Sequence, residues 1–377
     1  MSNQLGDFSL FWRMIWQQRV EKIVMVTNMV EHSSPKCEQY WPNLGTNKKY
    51  GDIMVENRSE DEFAETLHHL HFTCWPDKAI PDDVTAMIEF RQRGQYQFLH
   101  TAAQLQHTVE KRSKDEAEAV ERNKQHLNKN RANADIPGNE NRPQLHLNLK
   151  PGASDYINAV YIHSFRIKKR YLVAQTPLPE TIIDFLTLVV QEGCSCIVSF
   201  EADMDKQKNI GMYYPVANHD VLKKGTFQVS SSREENRTFY TERTLTIQHK
   251  GAGNSPDRSI PHLQFTDWDE MKNIPRSTAN FLSFLNVIEK VVKQQDDGPI
   301  LVHCFDGAGE SGLFCVVSLL LNNMAVEHEA SVLNAVRKIK TTRRLAIPNQ
   351  EQFVFCHGCV SEYLRLFEVY ANFHEET

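Results

Sequence analysis

Cys304 opens a run of unusual chemical density, PILVHCFDGAGESGL, in which Phe305, Asp306, Gly307, Ala308, Gly309, Glu310, Ser311 and Gly312 follow it directly. A cysteine attacks as the thiolate, and the thiolate is favoured where backbone N–H groups and a helix N-terminus converge. The glycines let the backbone approach an anion closely, so this spacing describes a concave anion cradle with a nucleophile at its edge. Two residues oppose that chemistry. Asp306 and Glu310 carry carboxylates into the place where an anion would sit.

Positioning such a loop requires a strand before it and a helix after it. Ile300-Leu301-Val302 is a short apolar, partly β-branched run suited to a central strand, and Ser311 to Asn322 is long and apolar enough for a buried helix with Ser at its start. Residues 307–312 also satisfy the GxGxxG spacing of dinucleotide sites. That pattern should continue into a second parallel strand ending in an acidic residue, whereas here another helical pattern follows, Glu327 to Lys340.

The rest of the chain bounds the possibilities. Its 377 residues allow two domains, 41% hydrophobic content allows real cores, and a net charge of -6 without a long basic run suggests no nucleic-acid partner. The longest apolar runs, such as Val316 to Leu321, fall short of a membrane span, and the N-terminal MSNQLGDFSL lacks the basic and apolar regions of a signal peptide. Eight scattered cysteines describe no disulfide framework, so a reducing, cytoplasmic location is expected. The one CxxC, Cys356 to Cys359, has no second pair or nearby HxxxH, so helix packing rather than zinc is expected there, and no metal or cofactor is implied.

The sequence repeats itself. FWRMIWQ at 11–17 followed by IVMV at 23–26 parallels FLTLVVQ at 185–191 followed by IVSF at 197–200, with twelve positions from Phe to Ile in both copies. An amphipathic run passing into a β-branched run predicts a helix feeding a buried strand. LHFTCWPDKAIP at 70–81 parallels LQFTDWDEMKNIP at 263–275, and QYQFLHTA at 95–102 parallels QFVFCHGC at 352–359. Trp75 and Tyr96 are 21 positions apart, Trp268 and Phe353 are 85 apart, and the first copy therefore lacks about 64 residues, including any counterpart of the cysteine loop. The expected layout is a partial first copy over 1–109, a charged, solvated linker helix over 110–128, and a more complete second copy over 129–373. Residues 132–151, rich in Asn, Pro and Gly, should form a surface loop.

Strand, HC, glycine loop, SG and apolar helix together resemble the signature loop of protein tyrosine phosphatases, HCxxGxGR followed by Ser or Thr and Gly. Trp75-Pro76-Asp77 resembles that family's acid loop, Lys36-Cys37-Glu38-Gln39-Tyr40-Trp41-Pro42 its KCxQYWP strand and Asp155-Tyr156-Ile157-Asn158-Ala159 its DYINA segment. The tandem layout is similar to the intracellular part of receptor-type phosphatases. The resemblance implies an α/β fold, a mixed twisted central sheet flanked by helices, in two copies. It also implies a reaction in which a thiolate attacks phosphorus, an arginine grips the oxygens, an aspartic acid protonates the leaving group and a glutamine positions water.

The residues depart from this scheme at four places. Cys304 holds the nucleophile position, but Glu310 stands where the arginine belongs, and a carboxylate facing a dianion costs on the order of 4 kcal/mol for each charge pair near 4 Å. The second acid loop reads Trp268-Asp269-Glu270 with one residue inserted; Pro348 stands at the glutamine position, and Ala132 at that of the phosphotyrosine-stacking tyrosine. Asp77 belongs to the copy without a nucleophile. The expectation is an inactive or strongly impaired module that binds signalling proteins, another phosphatase domain or a phosphotyrosine peptide. The competing expectations are an active phosphatase working through a Cys304 phosphocysteine and a redox-sensing Cys304.

Overall fold

In the computed structural model, described residues are 8–17, 20, 22–31, 34–58, 68–71, 113–147, 152–202, 204–217, 220–232, 234–251, 257–269, 271–327 and 331–375. They fall in two compact units, Met1–Thr101 and Ala102–Thr377. Asp77 with the rest of the first acid loop, the QYQFLHTA segment, and Glu270 lie outside the described residues.

In the first unit, helix α1 (Ser9–Gln17) leads to strand β1 (Lys22–Met25). Two short antiparallel pairs follow, β2 (Val30–Glu31) with β3 (Ser34–Pro35) and β4 (Asn47–Tyr50) with β5 (Ile53–Glu56), and β6 (His68–His71) pairs in parallel with β1. Trp12, Ile15 and Tyr50 form a small core with Phe8, Phe11, Tyr40 and Trp41 packed around it.

The second unit begins with α2 (Lys114–Asn123), capped by Ser113 Oγ accepting the Glu116 N–H at 3.2 Å. This charged helix is not solvated on all sides. Ala119, Val120 and Asn123 are buried, and the Glu116 carboxylate accepts the N–H groups of Asn139 and Glu140. The irregular segment beyond it is likewise only partly at the surface, with Asp135, Arg142 and Leu145 buried. Next come β7 (Ala159–Ile162), β8 (Tyr171–Gln175), α3 (Ile182–Gln191), β9 (Cys196–Ser199), β10 (Val221–Lys224), β11 (Phe227–Ser231), β12 (Glu235–Asn236), β13 (Tyr240–His249), β14 (Arg258–Phe265), α4 (Thr278–Val292), β15 (Ile300–Cys304), α5 (Gly309–Glu327), α6 (Val332–Lys340) and α7 (Gln350–Glu375). Their strands form one mixed sheet ordered β10-β11-β13-β14-β9-β15-β8-β7, with β12 beside β13.

The apolar runs explain the layering. β15 reads buried at all five residues because it lies between β8 and β9, parallel to both, with helices covering the sheet. α5 is nineteen residues long and apolar on all sides, enough to cross a membrane by length and composition, but it is mostly buried inside the protein, as a core helix must be.

The two helix-strand units found in the sequence share their pairing register. Val24 of β1 stands opposite Leu70 of β6, and Val198 of β9 stands opposite Leu263 of β14. The hairpins β4–β5 and β10–β11 correspond too, each turning through a glycine at positive φ, Gly51 (61°) and Gly225 (55°).

Candidate functional site

β15 carries Cys304 as its last residue, at the centre of the sheet, and α5 starts five positions later. The turn between them depends on Gly307. Its φ of 70° is one that residues with a side chain rarely adopt, and a Cβ there would lie 2.5 Å from the backbone nitrogen of Gln175. Gly312 is as constrained, since a Cβ would meet that of Ala346 at 2.6 Å.

The cradle forms, and the chain's own carboxylate occupies part of it. Asp306 Oδ1 accepts the N–H groups of Ala308 (2.8 Å) and Gly309 (3.0 Å), donors at the start of α5. The Cys304 thiol donates to the same oxygen at 3.3 Å, while the Ser311 N–H points at Sγ from 3.5 Å. Sγ and one carboxylate oxygen each of Asp306 and Glu310 lie within 4.8 Å of one another, the arrangement among the described residues that could hold a metal ion. Ser311 Oγ, fully buried, has no oxygen or nitrogen partner and stands beside the thiol, where it favours the thiolate.

Electrostatics follow from this crowding. Burial, then Glu310 and Asp306, push the Cys304 thiol well above its ordinary range, and the Ser311 contacts do not offset them. Burial also raises the Glu310 carboxyl, with Asp306 adding to it, while its own N–H and the thiol pull it back. The helix terminus that should favour a thiolate is thus overridden by burial and two carboxyl groups.

Among the described residues no cation is paired with either carboxylate, although the charge of Arg131 reaches Asp306 and Cys304. Arg131 lies 4.2 Å from the ring of Phe305, which is half exposed at the mouth of the loop. Its guanidinium already donates to the carbonyls of Asn209 (2.8 Å), Thr176 (2.8 Å) and Pro177 (3.3 Å). Asp269 caps its own turn, accepting the Met271 N–H at 3.0 Å and facing Arg276 at 3.6 Å. Ala132 is exposed, and so is Pro348, which follows Ile347 at a φ of 51°.

Behind the loop lies a network that sequence reasoning missed. Arg243 Nη1, which can only donate, meets His262 Nδ1 at 2.9 Å, so His262 must carry its proton on Nε2 and donate to the Tyr213 hydroxyl at 2.9 Å. Tyr213 then donates to His303 Nε2 (2.8 Å), His303 Nδ1–H donates to Thr176 Oγ1 (2.7 Å), and Thr176 donates to Glu201 (3.3 Å). Every polar group in this chain has one direction, from the cation to the carboxylate. Burial holds both imidazoles neutral, His303 down to about 3. Only the HC dipeptide hinted at it, since its other members are scattered in sequence.

A second buried anchor, Arg343, was equally invisible. It is 0% exposed and donates to the Asp135 carbonyl and Asn158 Oδ1, both at 2.8 Å, and to the Val173 carbonyl at 3.2 Å. The Lys129-Asn130-Arg131 and DYINA segments meet here as well, since Asn130 Oδ1 accepts from Tyr156 Oη (2.7 Å) and Asn158 Nδ2 (2.9 Å).

Comparison with known proteins agrees with this architecture. The protein-tyrosine phosphatase family profile matches residues 6–107 and 126–362. The chain is 25% identical to chicken (Gallus gallus) receptor-type tyrosine-protein phosphatase S, over 97% of this chain and 32% of that protein, and 24% identical to human (Homo sapiens) receptor-type tyrosine-protein phosphatase alpha, over 96% and 60%. It thus spans from about a third to three fifths of these relatives' length. Both alignments are longer than the chain itself, so the relatives carry residues that this chain lacks. Among solved structures, the catalytic domain of human protein tyrosine phosphatase non-receptor type 18 superposes with a TM-score of 0.57 at 24% identity, over 63% of this chain and 85% of that one, which supports the fold. With the family profile covering most of its length in two segments, and the HC loop set between a central strand and a buried helix, the chain belongs to the protein-tyrosine phosphatase family.

Proposed function

We propose that the chain is a catalytically inactive or strongly impaired phosphatase-family module that binds a signalling protein or another phosphatase domain in cytoplasmic tyrosine-phosphorylation signalling. The observation that carries this is the state of the anion cradle: Asp306 accepts the N–H groups of Ala308 and Gly309, and Glu310 stands where a guanidinium is needed. A phosphate dianion would have to displace one carboxylate and approach another. The neutral thiol at Cys304, the exposed Pro348 and Ala132, and the turn-capping role of Asp269 support the same reading. All seven described cysteines are free, as suits a reducing compartment.

Hydrolysis of p-nitrophenyl phosphate and of a phosphotyrosine peptide by the full chain tests the proposal. The rate is expected to match that of Cys304→Ser. Turnover that Cys304→Ser abolishes would replace this reading with an active phosphatase using a phosphocysteine intermediate.

A further inference from the structure

The exchange that removes a phosphate site leaves a different set of ligands. Cys304 Sγ and carboxylate oxygens of Asp306 and Glu310 converge within 4.8 Å, and among the described residues no cation is paired with either carboxylate, Arg131 turning Nη1 and Nη2 to backbone carbonyls instead. We propose that the Cys304 loop binds a divalent transition-metal ion of the zinc class, held by the Cys304 thiolate and the Asp306 and Glu310 carboxylates. This goes beyond the protein-binding role and does not depend on it.

Donor chemistry selects the ion. Calcium and magnesium take oxygen ligands, whereas one thiolate with two carboxylates suits zinc or cobalt in a four-coordinate site. With metal–sulfur near 2.3 Å and metal–oxygen near 2.1 Å, tetrahedral ligands stand about 3.5 Å apart. Cys304 and Asp306 already meet at 3.3 Å, so rotation of the partly exposed Glu310 side chain would close the site.

The surroundings fit a ligand set. The N–H groups of Ala308 and Gly309 fix the orientation of Asp306 by holding Oδ1, the oxygen nearest the thiol, as outer hydrogen bonds orient metal-binding carboxylates. Ser311 Oγ is fully buried beside the thiol and has no oxygen or nitrogen partner; it would serve as a neutral fourth ligand or hold a bound water. Asp306 and Glu310 are each partly exposed, which leaves the ion a path from solvent. On binding, the thiol proton passes to solvent, so affinity falls as pH falls.

The test is titration of the reduced, metal-stripped full chain with Co²⁺, following thiolate-to-cobalt charge-transfer absorption. One equivalent is expected to give the band, zinc to abolish it by displacement, and excess magnesium to leave it unchanged. Cys304→Ser should remove the band, Glu310→Gln should weaken binding by at least about tenfold, and Cys356→Ser should leave both as they are. Glu310→Gln preserves shape at a partly exposed position, so its result does not rest on the buried cysteine variant folding. Absence of a band, its survival in Cys304→Ser, its loss in Cys356→Ser, unchanged affinity in Glu310→Gln, or displacement by magnesium would each overturn the assignment.

Discussion

Glu310 changes the meaning of the loop more than any other single residue, and its effect should be measurable as stability. Its carboxyl is raised in the folded state by burial and by Asp306. The folded chain therefore keeps a proton that the unfolded chain releases at the ordinary carboxylate pKa. Stability falls as pH rises from that value through the folded one, and the full penalty is present at neutral pH. Glu310→Gln should raise the melting temperature at pH 7 by about 2–4 °C for each kcal/mol removed, with the gain vanishing near pH 4. Thermal unfolding at both pH values checks this; an equal shift at both would assign the effect to packing. The identities of Cys304, Glu310, Pro348 and Ala132 were legible as letters. That Asp306 turns inward to accept two backbone N–H groups was not, because it depends on the backbone bending through Gly307.

At the scale of elements, β15 and α5 appear where apolar runs and glycines placed them, although the helix is longer than its apolar stretch, beginning two residues earlier at Gly309 and continuing past Asn322 to Glu327. What fastens the loop to the sheet could not be seen. Tyr213, His262, His303, Thr176 and Arg243 come from five separate segments, and no local pattern joins them. Tyr213→Phe removes the hydroxyl that both accepts from His262 and donates to His303, leaving two buried polar atoms unpaired. At about 1–3 kcal/mol for each, the variant should lose roughly 2–6 kcal/mol. A lowered urea midpoint with unchanged slope would bear this out, whereas a midpoint equal to the parent's would mean that the network contributes little.

For the whole molecule, the repeat explains the inequality between the units. In the second unit β9 has β14 on one side and β15 on the other, and Val198 is 0% exposed; among the described residues β1 pairs with β6 alone, and Val24, its counterpart, is 56% exposed. On the repeat spacing, the roughly 64 residues by which the first copy is shorter correspond to those that supply the second neighbour and its covering helix in the second. The helix-strand repeat was readable because spacing survives in sequence, while the burial of Arg343 or of the 132–147 segment depends on contacts between distant parts. Limited proteolysis of the full chain should leave a resistant core beginning between about Ala117 and Arg131, because local opening is easiest where apolar cover is thin. Equal resistance of both units would contradict this.

The proposed loss of catalysis rests on Asp306 and Glu310 closing the Cys304 cradle to a phosphate-like anion. Orthovanadate binding to the full chain, measured by calorimetry beside Asp306→Ala/Glu310→Arg, tests it most directly. The parent chain should show no binding, Glu310→Arg alone should gain little because Asp306 still accepts the Ala308 and Gly309 N–H groups, and the double variant should bind. Orthovanadate binding by the parent chain that is lost in Cys304→Ser would contradict the claim.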